Sequence, residues 1–377
     1  MRHTTDNAHR NVPFSSNAVR LSWREWLVAL AVIAAVLVAL PVVWEHIEPL
    51  RVREDYRLPY ALSNDYWVYA RVCETLARPA NVAVVGDSVI WGHYVAPHET
   101  LSAHLNALDA GPRSFANLGV DGIHPAAMAG LVTYYGRALA GCDVLLHGNL
   151  LWMSSPRHDL TVRKEFAFNH PRLVPQFMPR IPCYAEPIAR RLDVATDRYL
   201  PFAAWAEHLR VAYFDSVDLG AWMLDHPYAN PAASVTLDLP SPYDPPAAKP
   251  DARPWTEKGV ARFGPAWVEL DESLQWASFR ATVERLRNRA CRVFVLVGPF
   301  NEHMLTAESL ETYEKRKRDV AARLGDLGVP YHVARPLPSD LYADASHPLA
   351  DGYRLLAERL LASEAFRRFA APGGGPE

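Results

Sequence analysis

Three side chains in this sequence have the types and settings that activated-serine chemistry needs. Ser88 follows a short apolar run and a glycine in VVGDSVIWG. A serine hydroxyl is a weak nucleophile until a neighbouring base takes its proton. Placed at a turn into a helix, it is exposed, and backbone N–H groups there can face a developing oxyanion. His347 lies in YADASHPLADGY, with Asp344 three residues before it. On one turn of a loop that spacing brings the carboxylate to the imidazole, fixes the tautomer and stabilises the imidazolium, as a triad requires. Taken singly, GDS also describes an ordinary serine N-cap, and DxxH a surface histidine beside an acid. No matching ligand pair nearby suggests a metal site.

Two further segments offer donors. Asn149, in LLHGNLLW, carries a side-chain amide. Residues 117–122 (NLGVDG) form a glycine-containing turn that allows close backbone approach. An amide together with backbone N–H groups is what acyl transfer needs at the oxyanion. A plain strand-to-helix turn would also explain the second segment.

The elements that must position these residues alternate. Apolar runs at 81–85, 114–118, 144–146, 292–297 and 331–333 read as short buried parallel strands. Helical spacing is found over 66–76, 99–108, 125–139, 274–289, 307–327 and 350–369. Strands alternating with helices predict an α/β sandwich around a parallel sheet, with its ligand site beyond the carboxyl ends of the strands. Polar residues collect at those ends: Asp87 and Ser88, Asp121 and Gly122, Asn149, and the stretch from Asp344 to His347.

Residues 153–272 break this rhythm. Roughly half of the 31 prolines lie in this part of the chain, against a usual share of about 5%. Periodicity is weak, and 241–254 (SPYDPPAAKPDARP) reads as loop. Trp205, Trp222, Trp255 and Trp267 could stack on sugars, but core packing is the favoured reading.

Half of the 377 residues are hydrophobic, enough for a substantial core, and the net charge of −3 offers nothing to nucleic acid. Residues 26–44, WLVALAVIAAVLVALPVVW, contain no charge and approach the roughly 30 Å of a bilayer core. Tryptophans mark both ends, and Arg2, Arg10, Arg20 and Arg24 precede the run. That pattern predicts an uncleaved transmembrane helix with a cytoplasmic tail (1–25) and everything beyond it exported to the periplasm or cell surface. Residues 45–65 read as a stalk, 66–370 as the folded domain, and 371–377 as a disordered tail.

Together the four polar blocks resemble the SGNH/GDSL hydrolase superfamily, which has four such blocks in this order. GDS matches the nucleophile block, with Ser88. NLGVDG matches the second, with Gly122 as oxyanion donor and Gly119 as fallback. HGN matches the third, with Asn149 as a further donor beside the Ser88 N–H. DASHP matches the last, supplying Asp344 and His347, and Gly352 and Tyr353 also fit. The resemblance spans residues 80–152 and 273–365. It implies a flavodoxin-like three-layer α/β sandwich with five parallel strands in the order 2-1-3-4-5. Leu150 stands where the third block usually has Asp, and the long insertion is unlike small secreted members.

The implied reaction is acyl-ester cleavage through an acyl-Ser88 intermediate, with no cofactor or metal. Water as second nucleophile gives an esterase, and a sugar hydroxyl gives a transferase. Membrane-anchored members are often cell-envelope polysaccharide O-acetyltransferases or esterases. Acylated carbohydrate or a small ester is therefore the implied substrate, and a membrane protein that hands over the acyl group is a compatible partner. A non-catalytic glycan-binding or assembly module is the alternative; its mark would be a lost nucleophile or base, and neither is lost. Cys73, Cys142, Cys183 and Cys291 form no CxxC motif. In the implied strand order Cys142 and Cys291 fall near one edge of the sheet, so a disulfide between them and four free thiols both stay open.

Overall fold

The computed structural model describes residues 21–52, 56–109, 111–243 and 251–371. The tail arginines Arg2, Arg10 and Arg20, and the C-terminal tail from residue 372 onward, lie outside these residues. The chain divides into two units, residues 1–47 and 48–377.

The first unit contains helix α1 (Trp23–Ile47). Its 25 residues correspond to about 37 Å at 1.5 Å per residue. Its most apolar window has a mean hydropathy of 2.9, and only 6% of that window is buried. The helix is therefore long and apolar enough to cross a membrane, and it lacks the burial of a core helix.

The second unit runs α2 (Tyr66–Leu76), β1 (Asn81–Gly86), α3 (Ser88–Trp91), α4 (Leu101–Leu108), β2 (Ser114–Gly119), α5 (Pro125–Tyr134) and β3 (Asp143–Gly148). Four helices follow within the insertion: α6 (Ile188–Asp197), α7 (Pro201–Tyr213), α8 (Leu219–Asp225) and α9 (Pro231–Ser234). The chain then continues through α10 (Leu274–Asn288), β4 (Arg292–Val297), α11 (Ala307–Asp326), β5 (Tyr331–Val333), α12 (Ala350–Ala362) and α13 (Glu364–Ala370). All five strands are parallel, in the order β2-β1-β3-β4-β5.

Period-two geometry sends alternate strand residues to opposite faces. Val82, Val84, Phe115, Leu145, Phe294 and Leu296 pack on one face with Leu101, Leu105, Tyr353, Leu356, Leu360 and Phe366 from α4, α12 and α13. The opposite face is covered by α5 and α10, with the Phe279 ring against Gly148. A sheet buried on both sides requires strands that are apolar throughout, which is how RVFVLV reads. β1 and β2 end in register at Gly86 and Gly119, so the loops carrying Ser88 and Gly122 leave the sheet side by side.

Three expectations change. The stretch 45–65 is not a free stalk: Glu48, Tyr56, Arg57, Leu58 and Leu62 are buried. Glu48 is held by Arg71 of α2 (2.6 Å) and His208 of α7 (2.8 Å). The C-terminal helical pattern is two helices, broken at Ser363, whose extended backbone (ψ 123°) ends α12. The insertion carries four helices where no helix was expected; α8 and α9 are only 7 and 4 residues long, and α7 and α9 begin on a proline, Pro201 and Pro231, a residue preset for a first turn. All four cysteines are free and buried. Asp143 pairs with Arg292, so Cys142 and Cys291 do precede paired positions, without a bond. Trp205 and Trp222 are core residues, and Trp267 packs against Phe300 and Tyr313.

Candidate active site

Ser88 owes its position to a single turn of helix. Asp87 caps α3 by accepting from the Val89 N–H (3.0 Å), and Tyr353 donates to the Val89 carbonyl (2.6 Å). α3 lies so close to β2 that a Cβ on Gly119 would sit 2.4 Å from the Trp91 nitrogen. Gly119 is thus a packing residue, and its own N–H already donates to Asn117 Oδ1 (3.0 Å). It cannot serve as the fallback oxyanion donor.

His347 arrives from the loop after β5. Its Nε2 is 2.7 Å from Ser88 Oγ, and its Nδ1 lies 2.8 Å from both Asp344 oxygens. The carboxylate only accepts, so Nδ1 carries the proton and Nε2 presents a lone pair to the Ser88 hydroxyl. Asp344 Oδ1 also accepts from the N–H groups of Ser346 and His347, each at 3.0 Å. Asn301 braces the loop by donating to the Asp344 and Ala345 carbonyls. Burial pushes the Asp344 carboxyl up, but His347 and the two backbone N–H groups outweigh it and hold the group well below the usual range. Burial depresses the His347 ring, and Asp344 outweighs that too, so its pKa is raised.

The end of the insertion straps this loop. Lys258 Nζ donates to the Ala343 carbonyl (2.5 Å), and the Trp255 N–H donates to the Tyr342 carbonyl (2.8 Å). Tyr94 donates to Asp344 Oδ2 (3.1 Å) and sets its ring edge-on to His347 at 5.4 Å.

Behind the nucleophile is a buried polar cluster. Asp87 Oδ1 accepts from Val89 N–H and faces His147 Nδ1 (3.1 Å); Oδ2 accepts from Asn149 Nδ2 (2.8 Å) and Trp152 Nε1 (2.9 Å). The other His147 nitrogen faces the Gly298 carbonyl (3.0 Å). Both ring nitrogens thus meet oxygen atoms that accept. Burial raises the Asp87 carboxyl, yet His147, Trp152 and Asn149 bring it down to about 2.

Asn149 therefore spends one amide hydrogen on Asp87 and its oxygen on the Leu151 N–H (3.0 Å). Its second amide hydrogen, the Ser88 N–H and the Gly122 N–H have no protein acceptor among the described residues. These are the three groups expected at the oxyanion. Gly122 needs its glycine: φ is +68°, and a Cβ would meet Asn169 Nδ2 at 2.6 Å. Its turn is held from the insertion, where His170 Nε2 lies 2.8 Å from the Asp121 carbonyl.

No family model matches this chain, and no curated protein does either. The chemistry follows from the geometry. A hydroxyl hydrogen-bonded to an imidazole lone pair, with an ionised carboxylate behind the ring and free N–H donors nearby, can attack an acyl carbon.

All of the residues expected from sequence to act at the site, Ser88, Asp344, His347, Gly122 and Asn149, lie at one end of the sheet. Sequence reasoning passed over His93, Tyr94, His147 and Trp152. His93 bonds Asp121 (2.7 Å), and its ring lies 5.4 Å from that of His347, tilted by 40°. The position of His93 and Tyr94, just past the αL glycine Gly92 that ends the nucleophile's helix turn, is the one sequence signal that could have drawn attention to them.

Proposed function

We propose that this protein is a membrane-anchored serine esterase or O-acyltransferase of the SGNH/GDSL type, acting on an acylated cell-envelope carbohydrate. The observation that carries the reading is the continuous Ser88–His347–Asp344 relay, 2.7 Å and 2.8 Å, between residues 259 positions apart in the chain. A surface histidine beside an acid has no reason to reach a serine across the sheet.

His347 Nε2 takes the Ser88 proton as Oγ attacks the acyl carbon. The negative charge that builds on the carbonyl oxygen is met by the N–H groups of Ser88 and Gly122 and by the Asn149 amide. Collapse returns the proton to the departing alcohol and leaves acyl-Ser88. Water or a sugar hydroxyl then gives its proton to the same nitrogen, attacks the acyl carbon, and Ser88 leaves with that proton. Asp344 stays ionised throughout and holds the ring.

The test is Ser88→Ala in the full chain, purified in detergent. Turnover of p-nitrophenyl acetate should vanish while the melting temperature holds, and intact mass should find acetyl on the native protein but not on the variant. Undiminished turnover in the variant would remove the serine mechanism. The carbohydrate and the envelope follow from the family resemblance and from α1. With Arg24 and the preceding arginines on the cytoplasmic side, a reporter fused after Glu377 should be active only outside the cytoplasm; a cytoplasmic reporter signal would reverse the orientation.

A further inference from the structure

A second imidazole–carboxylate pair stands beside the first. Gly92 ends α3 in the left-handed conformation (φ +87°), and the N–H groups of Gly92 and His93 both donate to the Ser88 carbonyl (2.9 and 3.2 Å). His93 is thereby fixed to the nucleophile's own turn. Its Nδ1 lies 2.7 Å from Asp121 Oδ1, and the two side chains are 25% and 15% exposed, so the pair is open to solvent. The ring stands 5.4 Å from that of His347, tilted by 40°. Because Asp121 accepts, the neutral ring keeps its proton on Nδ1 and presents a lone pair at Nε2. That atom has no protein partner among the described residues.

Resting on the acyl-Ser88 reading above, we propose that His93, held by Asp121, favours water over alcohols as the second nucleophile. Once Ser88 is acylated its oxygen no longer carries a proton, and the His347 Nε2 lone pair is free. With the two ring centroids 5.4 Å apart, the proposal places both imidazole acceptors on one water beside acyl-Ser88. Hydrogen bonds of about 2.8 Å let one oxygen bridge acceptors up to roughly 5 Å apart. Water has two hydrogens and satisfies both acceptors while aiming a lone pair at the acyl carbon. An alcohol has one hydrogen and leaves one acceptor unmet.

The step balances. The water oxygen bonds to the acyl carbon, and one of its protons passes to His347 Nε2. His347 returns that proton to Ser88 Oγ as the Ser88–acyl bond breaks. The second hydrogen stays on the new carboxylic acid, bonded to His93, and leaves to His93 or solvent as the acid ionises.

The experiment uses the full chain in detergent with p-nitrophenyl acetate and a fixed concentration of n-propanol. It measures the first-turnover burst and the ratio of propyl acetate to acetate formed. In His93→Asn, Nδ2 keeps the Asp121 bond and the Nε2 acceptor is lost. The burst should persist, deacylation by water should slow by about tenfold, and the ester-to-acetate ratio should rise by the same factor. His93→Gln restores an acceptor near the Nε2 position and should bring the ratio back towards wild type. An intact burst with an unchanged ratio overturns the role of His93 alone. If the His93→Asn chain does not fold, Asp121→Ala decides: it removes the acceptor that holds the ring through Nδ1, and an unchanged ratio there overturns the proposal. A wild-type chain without Ser88-dependent turnover overturns this inference and the serine mechanism together.

Discussion

Asn149→Ala separates the catalytic and structural work of one amide. In the folded protein the Asn149 side chain makes two bonds, from Nδ2 to Asp87 (2.8 Å) and from the Leu151 N–H to Oδ1 (3.0 Å). The first is charge-assisted and is worth about 1.5–3 kcal/mol. Asp87 keeps its contacts with Val89, His147 and Trp152, so part of that loss is absorbed. With the Leu151 N–H left unmet, a net destabilisation of about 2–3 kcal/mol is expected. For a unit of this size, at about 2.1 cal/mol/K per residue of unfolding entropy, that is a melting shift of roughly 4 °C. The second amide hydrogen acts only when charge develops on the substrate oxygen. Its loss should lower kcat by about 10²–10³-fold, the value of one oxyanion donor, with little change in KM. Both quantities are measured on one purified variant, with kcat normalised to the folded fraction. A lowered melting temperature with kcat within about threefold of wild type would refute the catalytic role and leave the Ser88 and Gly122 N–H groups as the donors.

Two further outcomes concern pH. The serine mechanism needs neutral His347, and Asp344 raises that ring's pKa above 6.5 against the effect of burial. Hence kcat/KM should fall as pH drops through a value above 6.5. Asp344→Asn should move that limb to lower pH and cost about 10³-fold or more in kcat; an unmoved limb in the variant would show that the titrating group is not His347. Stability should respond at the other end of the scale. His208 is buried between Glu48 (2.8 Å) and Asp65 (2.7 Å). Burial alone would depress its pKa, but the two carboxylates raise it to about 9. A raised pKa contributes stability that is full below 6.5 and is lost as pH rises through about 9. The shift corresponds to about 3 kcal/mol, at 1.36 kcal/mol per unit. Denaturant unfolding of the wild type should weaken over that window, and His208→Gln should flatten the dependence; a parallel pH dependence in the variant would place the titrating group elsewhere.

Much of the frame was legible because its signals are local. An apolar run of four to six residues ending in glycine marks a buried strand wherever it falls, and 3.6-residue spacing marks a helix. β4 and β5 have the bounds read from sequence, and α2 spans the residues predicted for it. The break at Ser363 escaped because α12 and α13 both carry an apolar face and their patterns run on without a gap. The burial of Glu48, Tyr56, Arg57, Leu58 and Leu62 escaped for another reason. Glu48 is an ordinary surface residue by type, and it is internal only because Arg71 and His208 arrive from elsewhere to neutralise it.

The sequence by itself determined which residue types stand at the strand ends, and so the candidates for nucleophile, base and acid: Ser88, His347 and Asp344 sit in short motifs whose chemistry is read from the blocks taken together. It also determined α1 as a helix long and apolar enough to cross a membrane, since length and the absence of charge are local properties. Only the tertiary structure decided what surrounds the triad. The Asp87–His147–Asn149–Trp152 cluster joins positions 60 to 65 residues apart, and the His93–Asp121 pair joins positions 28 apart. It likewise decided that Gly119 packs under α3 while the Gly122 N–H has no protein acceptor among the described residues. Hydrogen bonds act over about 3 Å, and which distant groups come within that range is set by strand order and register, which no local pattern encodes.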